Sequence, residues 1–457
     1  MNDAVRKIAE AVRKAGGRAL LVGGGVRDAF LGLEPKDFDV EVYGLPLDVL
    51  ERALAPLDEV ETVGKSFAVL KVLGVDVSVP RRDSKTGAGH RGFRIEADPA
   101  MPLEEAARRR DFTMNAMGQD PLTGEVFDPF HGRDDLKARR LRMTDGSTFV
   151  EDPLRVLRAA QFVARFELEP DAALVATGAR IAETLRELPA ERLCEEWGKL
   201  LLKGRVPSKG LEFMRACGVD AVLFPEVRAL VDCRQEPDWH PEGDVFVHTC
   251  MALDVAVRFR TGDPAHDLPL MFGVLCHDFG KPAVTKFVEG RWRSPEHEEA
   301  GEEPSRAFLD RLRVSPDIIA QVCGLVRHHL APAHFAHPKF QATPKAYRTL
   351  ARKLARAGTS IDMLVKVARA DHLGRTTADA KAGAFPAGDH FLAKAAEASV
   401  VQAPEKDAVL GRHLIARGMK PGVEMGAILD RCRIVQDETG LRDAEEILRI
   451  VLGEGPR

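Results

Sequence analysis

The chain has no apolar run of about 18 residues, the length that a membrane-spanning helix requires, so nothing in it is read as crossing a bilayer. Its opening stretch, Met1 to Gly17, is a charged amphipathic helix pattern without the apolar middle of a secretory signal. The seven cysteines are scattered, odd in number and never in CxxC spacing. That excludes a cysteine zinc site and fits a reducing, cytoplasmic setting. An excess of basic charge is also missing, since the formal net charge is −4. A diffuse electrostatic grip on nucleic acid is thereby excluded, and RNA contact would have to come from local clusters such as Lys137–Arg142 or Arg348–Arg356. Basic runs of that length ordinarily form solvated surface. There is no internal repeat and no low-complexity segment.

What the chain does have is size and core-forming material: 457 residues, 45% apolar and 30% charged. This suffices for two to four domains. The most informative stretch is Ala19 to Glu41, ALLVGGGVRDAFLGLEPKDFDVE. It reads as strand, glycine turn, short helix, loop and strand. In the run Lys36 to Val42, strict alternation puts Phe38, Val40 and Val42 on one face and Asp37, Asp39 and Glu41 on the other. Two carboxylates two residues apart on a strand converge on one point, which suits a hard divalent cation that also binds phosphates. The turn at Gly24 offers backbone N–H groups to those phosphates, and Arg27 can reach the same anion. Further on, Val75, Val77 and Val79 alternate with Asp76 and Ser78, so Asp76 is a candidate third carboxylate. Arg81 to Gly87 is polar and glycine-bearing and reads as a loop.

The ordered string GG-x-VRD-x(2)-LG-x(3)-KD-x-D resembles the nucleotidyltransferase motif of the tRNA CCA-adding enzyme and bacterial poly(A) polymerase family. Three later strings resemble it in the same order. In Leu103 to Asp120, read as helical with Ala106, Ala107, Phe112, Met114 and Met117 inward, the family's RRD-F-T-x-N-A motif implies that Arg110 contacts the nucleotide phosphates. It also implies that Asp111 orients the region or meets the sugar hydroxyl and that Asn115 stabilises the turn; Arg109 is read as a surface arginine. Phe127 to Leu136 is similar to the family's hinge and is read as structural. Glu151-Asp152-Pro153-Leu154-Arg155 is similar to the E-D-x-x-R motif, which implies an amino-acid template for the incoming base. Asp152, Arg155 and Arg158 are spaced by three and rise along one helix face, while Leu154, Leu157 and Phe162 make the buried stripe. A carboxylate accepts from an exocyclic amine and a guanidinium donates to ring acceptors. Cytosine and adenine satisfy that pattern; uracil and guanine leave groups unpaired. One step further, where the family often carries arginine, this chain has Gln161, expected to hydrogen-bond the base without carrying charge.

The second half is helical. Leu223 to Glu226 resembles a family neck-to-body junction. His248, then His277-Asp278 after an apolar helix, His297, Arg327-His328-His329 and Asp371 follow, in the order H, HD, H, HH, D. That order resembles the HD phosphohydrolase superfamily, which implies a metal site of His248, His277, Asp278 and Asp371, with His297 and His328 as candidates for a second ion.

The resemblance implies an α+β fold. A polymerase-β-like nucleotidyltransferase head at 1–145 precedes a helical neck at 146–235, an HD body at 236–385 and a helical tail at 386–457. It implies template-independent addition of C, C and A from CTP and ATP to the 3′ end of tRNA. Asp37 and Asp39 would hold Mg2+, with Asp76 beside them. The HD site would take Mn, Ni or Fe, or Mg2+, for phosphohydrolase chemistry. Addition of A alone, CC alone or poly(A), a phosphohydrolase that captures RNA with its N-terminal half, and an RNA-binding scaffold are the other readings.

Overall fold

The computed structural model describes residues 2–35, 37–63, 69–85, 93–340 and 342–453. The chain divides into two compact units, Met1–Leu223 and Phe224–Arg457. Among the described residues, no helix is long and apolar enough to cross a membrane.

The first unit is built on a seven-stranded mixed sheet. Its strands are β1 (Arg18–Val22), β2 (Asp39–Tyr43), β3 (Glu61–Val63), β4 (Val69–Val72), β5 (Val75–Ser78), β8 (Gly118–Gln119) and β9 (Val126–Phe127), in the order β3-β4-β5-β2-β1-β8-β9. Only β2 and β5 pair in parallel among these neighbours, and their register sets Asp39 beside Asp76. The alternation read in the sequence holds: Val40 and Val42, with Val75 and Val77, are buried, while Asp39 and Asp76 are exposed. The strand itself begins at Asp39, so Asp37 lies just before it. Helix α1 (Asp3–Lys14), capped by Asn2, lays Val5, Ile8, Ala9 and Val12 against the sheet. Helix α2 (Gly24–Phe30) starts directly after β1.

Three local expectations are corrected. Arg81–Lys85 is not a loop but strand β6, paired antiparallel with β7 (Phe93–Ala97); Thr86 and Gly87 lie outside the described residues, as do Phe67 and Ala68. Leu103 to Asp120 is not one helix. Helix α3 covers Leu103–Arg108, and a single 3₁₀ turn follows at Thr113–Asn115. Asp111 is the reason: its carboxylate accepts from the Phe112 N–H at 2.8 Å and from the Asn115 side chain at 2.9 Å, so the side chain replaces helical bonds. Arg109 is not a surface arginine but half-buried, donating to the Arg81 carbonyl.

The hinge string is structural, as read. A Cβ on Gly132 would stand 2.3 Å from the Thr113 carbonyl oxygen, so only glycine fits. Asp135, fully buried, accepts from the Thr113 hydroxyl (2.7 Å), Arg140 (2.8 Å) and Arg142 (3.0 Å). The basic cluster around Arg140 is thus engaged in holding the fold. Helix α4 (Leu154–Phe166) then packs against α5 (Ala190–Lys203) and α6 (Pro207–Ala216), with Leu154, Leu157 and Phe162 buried.

The second unit is helical. Helices α7 (Val245–Ala256), α8 (Pro264–Cys276), α9 (Pro316–His328) and α11 (Ile361–Leu373) pack on one another, with α10 (Pro344–Arg356) against α9. Helices α12 (Val423–Thr439) and α13 (Ala444–Leu452) form a separate small core with Leu414, Met425, Ile428, Ile447 and Leu448. Arg352 of α10 reaches that core's polar edge, pairing with Asp437 at 2.8 Å, and Arg348 donates to the Asp437 carbonyl at 3.0 Å. The Arg348–Arg356 cluster is therefore partly spent on internal ion pairs.

Candidate functional site

In the first unit, one cavity of about 410 Å³ is lined by Gly23, Gly24, Arg27, Asp39, Arg110 and Asp111 at one side and by Asp152, Arg155, Arg158 and Arg192 at the other. The glycine turn, strand β2, the segment after α3 and the start of α4 all contribute to it. Gly23 holds φ +68°, and a Cβ there would stand 3.2 Å from the Arg110 guanidinium and 3.7 Å from the Asp39 carboxylate. The turn must be glycine for these two groups to face the same space.

Asp39 is open to solvent at residue level, yet it sits in a concave site where protein atoms displace part of its water. That desolvation, with the charges of Asp76, Asp37 and Glu41, raises its carboxyl above the usual range, and Arg110 opposes the shift. Like charges gathered in this way are relieved by a cation. The donor set, carboxylate oxygens without sulfur or imidazole, fits a hard ion such as Mg2+. Arg110 itself stands 3.4 Å from Glu41.

Arg27 is 5% exposed. It donates to the Asn115 side-chain oxygen (2.8 Å) and to Asp28 (2.8 Å), and it lies over the rings of Phe162 (5.2 Å) and Phe166 (4.8 Å) of α4. It lines the cavity and also braces the glycine-turn helix against α4. Burial would raise Asp111, but Arg158 and Asn115 hold its carboxyl below the ordinary value; Arg158 donates to it at 2.8 Å. Asp111 thus ties Arg158 of α4 to the turn at Phe112–Asn115.

At the far side, Asp152 precedes α4 and accepts from the Leu154 N–H (3.2 Å) and from Arg192 of α5 (3.1 Å). Arg155 is fixed by the carbonyls of Thr148 (2.6 Å) and Arg109 (2.7 Å). The i, i+3 spacing does bring Asp152, Arg155 and Arg158 to one cavity. Arg192 was missed, because it comes from another helix and no local spacing marks it. Gln161 is corrected: it is 3% exposed, does not line the cavity, and its amide oxygen has no hydrogen-bond partner among the described residues. The three-residue step falls short of a helical turn, so the face drifts inward by the third step.

In the second unit, His248 of α7, His277-Asp278 at the end of α8, His297, His329 after α9 and Asp371 of α11 converge in a buried cluster. His248, His277 and Asp278 bring ligand atoms within 4.8 Å of one another, and so do Asp278, His297 and His329, with Asp278 shared. His277, His297 and His329 each have Nδ1 on a backbone carbonyl three residues back, at 2.7, 2.9 and 2.7 Å. That contact fixes the tautomer and turns Nε2 inward, the usual support for a metal-binding imidazole. His248 instead has Nδ1 on Glu242 (2.8 Å) and Nε2 3.1 Å from Asp371. Burial would raise Asp278, but His277, Lys281 and His297 hold it well below the carboxylate range. Burial and the neighbouring His297 and His277 push His329 down to about 3, so its lone pair is free at neutral pH. His328 is corrected: the ligand-like histidine is its neighbour His329, and His328 lines a different cavity. Two adjacent histidines at a helix end point roughly 100° apart, and sequence does not say which turns inward. Glu242, Lys281 and Arg375, the last 3.0 Å from Asp371, were not singled out either.

A family model described as "Poly A polymerase head domain" matches residues 19–142, and one described as "Probable RNA and SrmB- binding site of polymerase A" matches 166–230. The multifunctional CCA protein of Xanthomonas euvesicatoria pv. vesicatoria is 35% identical over 427 residues, which are 91% of this chain and 96% of that protein. That of Halorhodospira halophila is 35% identical over 430 residues, 91% and 95% respectively. The chain belongs to the multifunctional CCA protein family. Solved CCA-adding enzymes share the fold at lower identity. The Bacillus stearothermophilus enzyme in complex with CTP gives a TM-score of 0.67 at 20% identity, covering 99% of this chain and 98% of that one. The Thermotoga maritima enzyme complexed with tRNA_CCA gives 0.59 at 20% identity, covering 98% and 94%. Membership in this nucleotidyltransferase family carries the use of divalent metal ions.

Proposed function

We propose that this chain adds C, C and A from CTP and ATP to the 3′ end of tRNA, without a nucleic-acid template. The observation that carries the reading is the single cavity that joins the Gly23–Arg110–Asp39 side to the Asp152–Arg155–Arg158 side. Such a cavity accepts an elongated ligand with an anionic, metal-bearing end and a planar hydrogen-bonding end. Asp37 and Asp39, with Asp76 in register beside Asp39, would hold Mg2+, which when bound assists attack by the RNA hydroxyl and neutralises the leaving pyrophosphate. Gly24 and Arg110 meet the phosphates, and Arg27 keeps the turn pressed to α4. Asp152 accepts from the exocyclic amine of cytosine or adenine while Arg155 and Arg158 donate to ring acceptors. Arg192 holds the Asp152 carboxylate in place. The head extends over 1–145 and the neck over 146–235.

The HD body at 236–385 carries a second reaction, hydrolysis of phosphoesters, with His248, His277, Asp278, His297, His329 and Asp371 as ligands of Mn, Ni or Fe, or Mg2+. The tail at 386–457 holds the tRNA body. The test supplies tRNAs ending at the discriminator base, at C or at CC, with single labelled nucleotides. Ordered C, C, A incorporation is expected, and incorporation of one nucleotide type or unlimited A addition overturns the reading. Asp39→Ala should abolish addition and spare phosphatase activity, and His277→Ala should do the reverse.

A further inference from the structure

On strand β2 the alternation that exposes Asp39 also turns Glu41 and Tyr43 to the same side of the sheet. That side changes character along the strand. At Asp39 it is open to solvent. At Tyr43 it is covered: Leu20 and Val22 of β1, Met101, and Ala106 of α3 form one buried cluster with the ring, which is 9% exposed. Glu41 lies at the boundary, with its side chain 14% exposed. A phenol buried in this way needs a hydrogen-bond partner. Glu41 supplies it, and the Tyr43 hydroxyl donates to Oε2 at 2.5 Å. The same oxygen accepts a second, longer bond from Nη2 of Arg110, at 3.4 Å.

Arg110 lines the cavity of the first unit and Glu41 does not, so Glu41 stands behind the arginine. A carboxylate there is costly to a site that takes up a triphosphate, because its charge opposes the ligand's. What it supplies is aim. An arginine loses rotamer freedom when it meets a phosphate, and one already held by a carboxylate has lost it beforehand. The two ends of the Arg110 fork have different neighbours. Nη2 is at Glu41, and Nη1 is at the glycine turn, 3.2 Å from where a Gly23 Cβ would stand. The guanidinium is planar and rigid, so holding one end directs the other. We propose that Glu41, anchored by Tyr43, is a positioning residue for nucleotide addition: it holds Nη2 of Arg110 so that Nη1 meets the triphosphate at the glycine turn. Glu41 itself touches neither the nucleotide nor a metal ion. The inference rests on Arg110 as a phosphate contact and goes beyond it by naming what aims that contact.

The test is steady-state incorporation of labelled CTP into tRNA ending at the discriminator base, and of labelled ATP into tRNA ending at CC, with the full-length protein. Wild type is compared with Glu41→Gln, Glu41→Ala, Tyr43→Phe, Arg110→Ala and the double variant Glu41→Ala/Arg110→Ala. Glutamine keeps the shape and an acceptor oxygen but loses the charge that strengthens the bond, so KM for both triphosphates should rise about threefold. Glu41→Ala removes the acceptor and should raise both about tenfold, with kcat within about twofold of wild type and an unchanged Mg2+ requirement. Tyr43→Phe frees Glu41 and should follow Glu41→Gln. The double variant should be no worse than Arg110→Ala alone, because Glu41 acts through that arginine; a purely structural role would add its own loss. Should Glu41→Ala fold poorly, Glu41→Gln, which still accepts from Tyr43, carries the comparison. KM at the wild-type value in both Glu41 variants, additive losses in the double variant, or a collapse of kcat with a raised Mg2+ requirement overturns the positioning role, the last by making Glu41 a metal ligand. If Arg110→Ala leaves KM for both triphosphates unchanged, the phosphate reading of Arg110 is what fails.

Discussion

Replacing Arg27 by methionine separates two jobs that its position allows. The side chain keeps its length and its apolar stem over Phe162 and Phe166 but loses the guanidinium. Asn115 then loses a 2.8 Å bond, and Asp28, whose side chain is only 13% exposed, loses its 2.6 Å partner. Breaking a buried ion pair on one side costs about 3–5 kcal/mol. Arg165, 3.8 Å from the other Asp28 oxygen, retains part of the compensation, so the lower end, about 3 kcal/mol, is expected. For a unit of this size, at about 2–4 °C per kcal/mol, the transition of the first unit falls by roughly 6–12 °C. Scanning calorimetry measures it, and labelled CTP incorporation on the same protein measures activity. Activity should fall mainly in kcat, because the glycine turn and α4 lose their brace and the two sides of the cavity lose their spacing. A melting temperature within about 2 °C of wild type, with a raised KM for the triphosphate alone, would refute the brace and leave Arg27 as a simple phosphate ligand.

Four further outcomes are expected. The raised carboxyl of Asp39 is protonated as pH falls through it and then holds no cation, so the acid limb of nucleotide addition lies above the ordinary carboxylate range; a limb at or below about 4 contradicts this. Arg192→Ala releases Asp152 and should lower discrimination against UTP by about tenfold while melting changes little, read from single-nucleotide competition; equal selectivity sinks the Arg192 role. Gln161→Leu removes a buried unpartnered oxygen, so the choice between C and A stays unchanged and stability holds or rises by up to about 1 kcal/mol; a changed choice would return Gln161 to the site. His329→Ala should cost at least tenfold in Mn2+ affinity by calorimetry, and His328→Ala should cost little; the reverse order would show the wrong histidine has been assigned.

Much of the site was legible because its parts are local. The glycine turn, the alternation from Asp39 onward and the i, i+3 triad need only strand or helix periodicity to place them; Asp37, read on the same strand, lies just before it. The failures have two causes. Arg192, Glu242 and Arg375 act across elements, and no spacing along the chain links Arg192 to Asp152 or Glu242 to His248. Gln161 and His328 were misplaced because face assignment on a helix drifts with each three-residue step and at a helix end depends on packing.

By itself, the sequence determined the α+β head with its helical continuation, the carboxylate pair with its phosphate turn, and the histidine and aspartate order of the second centre. The strand alternation follows from backbone geometry; the roles of the turn, the carboxylates and the histidine order came from the resemblance that the ordered motifs carry. Only the tertiary structure decided which side chains face inward and which are spent on the fold. Arg27 became a brace, Arg140 and Arg142 became partners of buried Asp135, and His329 rather than His328 turned toward Asp278. A charged group takes its role from the partner that burial leaves it, and partners come from distant parts of the chain.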